Sequence, residues 1–243
     1  MLITSIHNEH IKELTKLKDK KTRDEKGLFL VETKHLVLEA FKAGLIKELI
    51  LEQNEIFPLD APTLYVSMPV LKKLSSVDSP SRVMAVIEKP KFENTYGEKI
   101  LILDRIQDPG NLGTIIRSAV AFNIDTIICS PDTVDVYNPK VVRASQGMMF
   151  HIPIFIQDTT KTINKLKEED YKIVGTKVTN GQDVRSSSIY SHFALIIGNE
   201  GQGISHEIEE LCDNYLYIKM NETCESLNAS VAASILLYEI NNK

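Results

Sequence analysis

The amino-acid sequence predicts an α/β protein with two domains, the second of which is a Rossmann-like parallel sheet. From residue 100 onward, short apolar runs alternate with amphipathic stretches, a pattern typical of parallel strands covered by helices on both faces. A chain of 243 residues that is 43% hydrophobic is long enough to bury such a core. The predicted strands are 100–104, 126–129, 171–176, 194–197 and 214–218, and the predicted helices are 112–122, 139–145, 160–169, 205–212 and 227–240.

The residues before position 100 predict a smaller α/β domain. Asn8 is placed to cap a helix running through Leu17, and Gly44 is placed to end the helix 34–43. The segment after this domain is polar and contains proline and glycine, as linkers do. We therefore expect a first domain at 1–90, a linker at 91–98 and a second domain at 99–243. Strands are expected at 28–31, 48–52, 63–67 and 82–88, with a further helix at 69–74.

Composition excludes several classes of protein. A net charge of −5 argues against a strongly basic nucleic-acid binder, although a local basic face is still compatible with it. No apolar run is long enough to span a bilayer, and the N-terminus lacks a secretory signal, so we expect a cytoplasmic protein without membrane contact. The cysteines Cys129, Cys212 and Cys224 are widely spaced and predict neither a metal site nor a disulfide.

The residues between Lys12 and Lys26 carry a local excess of positive charge. Two interpretations remain open at this point, a solvated helix face with its loop, or a patch that contacts phosphates. The candidate phosphate-contacting residues in this segment are Lys16, Lys20, Lys21 and Arg23.

The first of three turns rich in glycine and asparagine spans residues 108–117 and follows the strand at 100–104. Its Asn111 suits the cap of a helix beginning at Leu112, a common role for asparagine. Arg117 lies about 600° further around that helix, so the two side chains do not share a stripe. Arg117 is either a surface ion-pair partner or a phosphate ligand.

The second turn follows the strand at 194–197 and has glycines at 198, 201 and 203. This spacing is neither the dinucleotide fingerprint nor a phosphate-binding loop. On glycine count alone, a plain strand-to-helix connection is the favoured interpretation. Glu200 within the turn shifts the balance towards a ligand site and, because its carboxylate would repel a phosphate, favours a neutral or cationic ligand or a substrate hydroxyl.

The third turn, 225–233, offers Glu225, Ser226 and Asn228 at the start of an amphipathic stretch. Ser226 is a good candidate for the helix cap. It lacks the sequence context of a hydrolase nucleophile and has no evident histidine partner.

Together the three turns resemble the SpoU (TrmH-type) RNA ribose 2′-O-methyltransferases of the SPOUT class. The family's first motif, N-x-G-x-x-x-R, is matched by Asn111, Gly113 and Arg117, and its second, G-N-E-G-x-G, by residues 198–203. The third, I-P-M followed by S-L-N-x-S-x-A, is matched by Ile218, Met220, Ser226, Leu227, Asn228, Ser230 and Ala232. The resemblance covers residues 100–243, and all three motifs in this order form a specific signal.

The segment 138–147, which contains Arg143, also resembles this family, and the first domain is similar to the ribosomal-protein-like substrate-binding domain found before many SpoU domains. Four positions depart from the family pattern. Lys219 replaces a proline of the third motif, Thr33 stands where glycine is usual, and Ser81-Arg82 replace Gln-Gly.

The resemblance implies a deep trefoil knot in the second domain, a homodimer and S-adenosylmethionine as cofactor. Backbone groups and aliphatic side chains of the knot loops would hold the cofactor. These residues are Thr176, Ile197, Gly198, Asn199, Ile218, Met220 and Leu227. No metal is implied.

The implied reaction is methyl transfer to a ribose 2′-hydroxyl of RNA, with rRNA preferred over tRNA because of the first domain. Arg117 would bind phosphate and stabilise developing negative charge, since arginine is almost always protonated. Glu200 would hold this arginine or receive the proton, and Asn111, Ser226 and Asn228 would orient the site. Arg143 and the lysine-rich segment would contact RNA. The alternatives are a catalytically silent RNA or ribosome binder and an unrelated nucleotide-binding α/β enzyme.

Overall fold

We describe the protein from a computed structural model covering residues 2–93, 95–188 and 190–243. The strands are β1 (Leu2–Ile3), β2 (Leu28–Glu32), β3 (Ile46–Glu52), β4 (Thr63–Val66), β5 (Val83–Glu88), β6 (Lys99–Leu103), β7 (Thr126–Cys129), β8 (Ile154–Ile156), β9 (Lys172–Thr176), β10 (Gln182–Asp183), β11 (Phe193–Ile197) and β12 (Asn214–Tyr217). The helices are α1 (Glu9–Lys16), α2 (Lys20–Lys26), α3 (Lys34–Lys42), α4 (Met68–Leu74), α5 (Pro109–Ala121), α6 (Pro139–Ser145), α7 (Thr159–Glu168), α8 (His206–Glu209) and α9 (Ala229–Asn241), with a 3-10 helix at Met148–Phe150.

The chain divides into two units. The first contains the described residues of Met1–Lys91 together with Tyr137–His151, and the second contains those of Phe92–Val136 and Ile152–Lys243. This division differs from a simple cut at the linker because the segment 137–151 packs with the first unit. Asn94, which falls in the predicted linker 91–98, lies outside the described residues.

The first unit is built on a mixed sheet in the order β1-β4-β3-β5-β2. β4 pairs in parallel with β1 and β3, whereas β5 pairs antiparallel with β2 and β3. Helices α1 and α4 cover a buried cluster that includes Ile11, Leu14, Val70 and Leu71. Asn8 caps α1 as predicted, since its side chain accepts the backbone N–H groups of residues 10 and 11.

The segment 137–151 joins this unit through aromatic packing. The ring of Phe29 on β2 lies 4.9 Å from that of Tyr137 and 6.3 Å from that of Phe150, measured between centroids. Sequence periodicity correctly predicted α6 as a helix but could not assign it to a unit, because that depends on contacts across more than 100 positions.

The second unit is a parallel sheet in the order β10-β12-β9-β11-β6-β7-β8. Every residue of β7 and β11 is buried, which is the pattern of strands covered on both faces. Ile163 and Leu166 of α7 pack against Ile100 and Ile173 of the sheet. Helices α5 and α9 pack on each other. This architecture confirms the predicted α/β class.

Three local predictions need correction. The segment 20–26, for which no separate helix was predicted, forms helix α2, which is capped by Asp19. Strand β8 was missed because its three residues are too short to show a period. The predicted helix at 205–212 shortens to His206–Glu209.

Within the described residues, the structure contains no helix that is both long and apolar enough to cross a membrane.

Candidate functional site

The three predicted turns meet at one edge of the second sheet. β12, β9, β11 and β6 are consecutive neighbours and run parallel, so their carboxyl ends lie side by side. Ile197 at the end of β11 is in register with Leu103 at the end of β6. Open α/β sheets bind their ligands at this edge, where loops of neighbouring strands converge.

A chain of hydrogen bonds joins one residue from each motif. The Asn228 side-chain amide donates to Asn111 Oδ1 at 2.9 Å, and the Asn111 amide donates to Glu200 Oε1 at 3.0 Å. Asn111 is buried. Residues 117 positions apart in sequence thus form one polar junction at the start of α5 and α9.

The Glu200 carboxylate also binds the backbone before α5. Its oxygens accept the N–H groups of Gln107 at 3.2 Å and Asp108 at 3.1 Å. Burial alone would raise the pKa of this carboxyl, but the hydrogen bonds from Asn111 and from backbone N–H groups outweigh it, so the net shift is downward. Glu200 is therefore held as a carboxylate that ties the first motif to the second.

Both helix caps in this junction differ from the sequence predictions. The cap of α5 is Asp108, which accepts the Asn111 backbone N–H at 2.8 Å, so the helix begins at Pro109 and not at Leu112. The cap of α9 is Asn228 rather than Ser226. Asp108 followed by Pro109 is a local start signal that places the beginning of α5 earlier than predicted. At α9, Asn228 caps the helix with its side-chain oxygen while its amide donates to Asn111.

The glycine turn of the second motif is closed by its own backbone. Asn199 and Gly203 exchange N–H···O bonds at 2.9 Å in both directions. The Asn199 amide also donates to the Arg105 carbonyl at 2.8 Å. At Gly198 a Cβ atom would lie 2.2 Å from the carbonyl carbon of Gly203, so only glycine fits there.

A cavity of about 390 Å³ opens beside this turn. All seven residues predicted to hold the cofactor line it. Aliphatic side chains of Ile218, Met220, Leu227 and Leu236 form one part of its wall, and Lys177, Glu200 and Glu209 add charged groups. This combination of an apolar wall with a few polar groups is typical of small-ligand sites.

Arg117 and Ser226 stand apart from the junction. Arg117 lies on α5 with an exposed side chain and forms no hydrogen bond or ion pair among the described residues. It therefore does not pair with Glu200 within this protomer. Ser226 lines the cavity and is exposed, and its backbone carbonyl accepts a bond from the Cys224 thiol.

The predicted RNA ligands of the first unit separate into two kinds. Arg23 is buried, and its guanidinium donates to the carbonyls of Leu17 at 2.9 Å and Lys18 at 2.7 Å. The assignment of Arg23 to RNA is therefore corrected, because this side chain holds the turn between α1 and α2.

The remaining basic residues are accessible. Lys16 pairs with Glu13, Lys20 with Asp24 and Lys21 with Glu25, all at solvent-exposed positions. Paired with Lys16 and Lys26, Glu13 has its pKa lowered to about 2. Arg143 is half-buried and donates to the Ser76 hydroxyl at 2.6 Å, within the first unit. The predicted basic face is thus largely balanced by acidic neighbours.

Sequence reasoning missed three charged residues near the cavity. Arg105, in a left-handed backbone conformation with φ of 57°, donates to the Gln202 side chain at 3.0 Å. Lys177 follows β9 directly, and Glu209 lies on α8. The signal available for Lys177 was its place right after the predicted ligand Thr176, but nothing in the sequence linked it to Glu209.

Comparison with known proteins agrees with this geometry. Residues 98–238 match the model of the SpoU rRNA Methylase family, and residues 8–85 match that of the MRM3-like substrate binding domain. The protein belongs to the SpoU rRNA methylase family.

Relatives and solved structures extend over the whole chain. The 23S rRNA (guanosine(2553)-2′-O)-methyltransferase RlmP of Bacillus subtilis is 36% identical over 243 residues, covering 98% of each chain. An AdoMet-bound rRNA methyltransferase of Sinorhizobium meliloti is 29% identical with a TM-score of 0.87, covering 100% of this chain and 97% of that one. The SpoU methyltransferase AviRb of Streptomyces viridochromogenes, in complex with AdoMet, is 26% identical with a TM-score of 0.86. The match covers 97% of this chain and 98% of the AviRb chain.

Proposed function

We propose that this protein transfers a methyl group from S-adenosylmethionine to a ribose 2′-hydroxyl of ribosomal RNA. The observation that carries the proposal is the junction of Asn228, Asn111 and Glu200 beside a cavity lined by every predicted cofactor residue. The relationship to RlmP, which extends over 98% of both chains, favours 23S rRNA as the substrate.

The cavity suits S-adenosylmethionine in size and chemistry. Its volume of about 390 Å³ falls in the usual range for small-ligand sites, and its aliphatic wall can pack on an adenine ring. When bound, this cofactor supplies the electrophilic methyl group.

We assign phosphate binding and charge stabilisation to Arg117. Its guanidinium is exposed and unpaired among the described residues, so an RNA phosphate can reach it. Arginine is effectively always protonated, so it acts by stabilising negative charge that develops on the ribose oxygen and not as the base, and the hydroxyl proton passes to solvent water. Alignment of the hydroxyl with the methyl group supplies much of the remaining rate enhancement.

Glu200 and Asn111 are positioning residues in this scheme. The lowered pKa of Glu200 makes it a poor proton acceptor, and its oxygens already bind three N–H donors. We therefore assign this carboxylate to holding the first and second motifs together, with Asn228 completing the same junction. Ser226 remains a proposed contact to the substrate.

The first unit is proposed to bind RNA through Lys16, Lys20, Lys21 and Arg143. Exposed ion pairs contribute little free energy, so these lysines can exchange a carboxylate for a phosphate at small cost. The match to a substrate-binding domain over residues 8–85 supports this assignment. We place the protein in the cytoplasm, where a bacterial ribosome is assembled.

A homodimer and a trefoil knot in the second unit are also proposed. Helix α9 exposes two large apolar residues: Val231 is 46% accessible to solvent and Tyr238 is 54% accessible. Seven residues apart, they share one face of the helix. An exposed apolar face next to the helix that carries Arg117 is what a partner protomer would cover.

The proposal is tested by methyl transfer from labelled S-adenosylmethionine to RNA from a strain lacking this protein. We expect ribose methylation at one position of 23S rRNA, detected as resistance to alkaline cleavage, and the position equivalent to guanosine 2553 is the first candidate. Deproteinised RNA and isolated ribosomal subunits are compared as substrates. Binding of cofactor without transfer to either substrate would favour a silent binder.

The role of Arg117 is tested separately with Arg117→Ala. This variant should bind S-adenosylmethionine with nearly unchanged affinity and lose methyl transfer, because the arginine acts on RNA and not on the cofactor. Arg185→Ala, which removes another exposed arginine of the same unit, is the matched control. Normal turnover of Arg117→Ala would refute the assignment.

A further inference from the structure

A pair of opposite charges forms part of the cavity wall on the side of β9 and α8. Lys177 Nζ lies 3.3 Å from Glu209 Oε1, and both side chains are about one-third exposed, at 33% and 34%. The same ammonium stands 3.9 Å from the centroid of the Tyr215 ring. The Tyr215 hydroxyl donates to the Glu209 backbone carbonyl at 2.6 Å, which holds the ring under the lysine.

The charges lining the cavity are few. Among the described residues of its wall, Lys177 is the single cation, and Glu200 and Glu209 are the anions. Glu200 already accepts three hydrogen bonds that tie the motifs together. The pair Lys177–Glu209 is therefore the part of the wall whose charges remain available to a ligand.

S-adenosylmethionine, the ligand of the proposed function, carries a zwitterion at its methionine end. The α-carboxylate needs a cation and the α-ammonium needs an anion, whereas the adenine needs an apolar surface. Ile218, Met220 and Leu227 supply the apolar surface in this cavity.

We propose that Lys177 binds the α-carboxylate of the cofactor and Glu209 binds its α-ammonium group. A lysine ammonium has three donors, so Lys177 can keep its bond to Glu209 while donating to a ligand carboxylate. The ring of Tyr215 and the partner Glu209 orient the lysine before the ligand arrives, which lowers the entropy lost on binding. This inference rests on the proposed function and names the part of the site that recognises the amino-acid end.

If the ion pair had a purely structural role, replacing Lys177 would affect ligand binding differently. Pairs at this exposure contribute little to folding, so replacing Lys177 should hardly change the melting temperature. If the pair only shaped the cavity, its loss would weaken every ligand of the cavity alike. If it binds the zwitterion, only ligands that carry the amino-acid end are affected.

The test is isothermal titration with S-adenosylhomocysteine and with 5′-methylthioadenosine, two thioethers of which the second lacks the amino-acid end. In Lys177→Met, which keeps an apolar stem, we expect the Kd for S-adenosylhomocysteine to rise about ten- to a hundredfold, the usual effect of losing a charge-assisted hydrogen bond. The Kd for 5′-methylthioadenosine should stay within about twofold. Lys172→Met, at an exposed position of the same strand, is the control.

Glu209→Gln should likewise weaken only the ligand with the amino-acid end. An equal loss of both ligands in Lys177→Met, or no loss of either, would overturn the proposal. If the unaltered protein binds neither ligand, the proposed function fails together with this inference. If it binds both with the same affinity, the cofactor assignment stands and the zwitterion site is refuted.

Discussion

At the scale of single residues, the orientation of one carboxamide decides the geometry of the site. Asn111 offers its oxygen to Asn228 and its amide to Glu200, at 2.9 and 3.0 Å. Aspartate has nearly the same shape but no donor, so it would place a second carboxylate against Glu200. The junction therefore depends on the amide chemistry of asparagine and not on its size.

Asn111→Asp should lower the free energy of unfolding at pH 7 by about 1–3 kcal/mol, the usual range for a buried polar group left without its partner. Two adjacent carboxylates raise the pKa of one of them, so the deficit relative to the unaltered protein should shrink as the pH falls and that group is protonated. Thermal melts from pH 8 to pH 4 measure this.

Asn221→Asp provides the control for that substitution. Asn221 is exposed, and its side chain only accepts bonds, from the backbone N–H and the hydroxyl of Thr223. It should change stability little at any of these pH values. If the loss of thermal stability caused by Asn111→Asp did not vary with pH, the argument from charge repulsion would be contradicted.

The lowered pKa of Glu200 predicts a second pH dependence. Its stabilising bonds are fully present above the ordinary pKa of a free glutamate, about 4.3, and are lost as the pH falls through the lower folded value. The difference in melting temperature between the unaltered protein and Glu200→Gln should therefore be constant from about pH 8 to pH 5 and narrow in more acidic buffer. A difference that widened on acidification would contradict the sign of this shift.

At the scale of the elements, the glycine turn after β11 combines one obligatory glycine with one that is not. An added Cβ at Gly198 would meet backbone atoms of Gly203 and Ile204 at 2.2 Å, and backbone cannot move aside as a side chain does. At Gly201 the nearest atom to such a Cβ is 3.8 Å away. The two positions form a matched pair within one motif.

Gly198→Ala should destabilise the protein by about 1–3 kcal/mol or more, because the turn must open to make room for the Cβ of the alanine. The same distortion of the cavity wall should greatly weaken cofactor binding. Gly201→Ala should keep stability within about 0.5 kcal/mol, as for surface substitutions elsewhere. Chemical denaturation and ligand titration measure both variants. Equal tolerance of the two substitutions would show that the turn is not closed in solution.

The start of helix α3 shows how one element accommodates a departure from the family pattern. Thr33, where the family usually has glycine, adopts φ of 95°, a conformation that β-branched residues rarely occupy. Its hydroxyl accepts the Leu36 backbone N–H at 3.3 Å and so caps the helix. The cap offsets part of the backbone strain, which gives a physical reason why threonine is tolerated here.

At the scale of the whole molecule, the outer face of α9 is the clearest candidate for contact between protomers. The double variant with Val231→Glu and Tyr238→Glu should shift the protein from a dimer to a protomer of 27.4 kDa, because charges would have to be buried against the apolar face. Analytical ultracentrifugation measures the mass.

Ile156→Glu controls for the added charge, because it alters another exposed apolar residue, on β8. This control should leave the mass unchanged. A protomeric mass for the unaltered protein would refute the dimer itself, and a dimer that survives the double variant would move the interface elsewhere.

The sequence alone was enough to identify the family, the α/β fold class and the three motifs. β7 and α6 have the predicted bounds, because apolar runs and helix-starting prolines are local signals. The predicted start of α9 was two residues early, since Ser226 and Asn228 are equally good caps by local rules. The knot and the dimer stay predictions.

Only the tertiary structure decided which of these local possibilities became part of the site. In the folded protein Arg23 is buried and donates to two backbone carbonyls. Asn228 rather than Ser226 caps α9, and Lys177 lies beside Glu209. Segment 137–151 packs with the first unit for the same reason. Periodicity and capping rules act over a few residues, whereas these outcomes depend on contacts between positions far apart in the chain, and such contacts exist only once the sheet has brought its strand ends together.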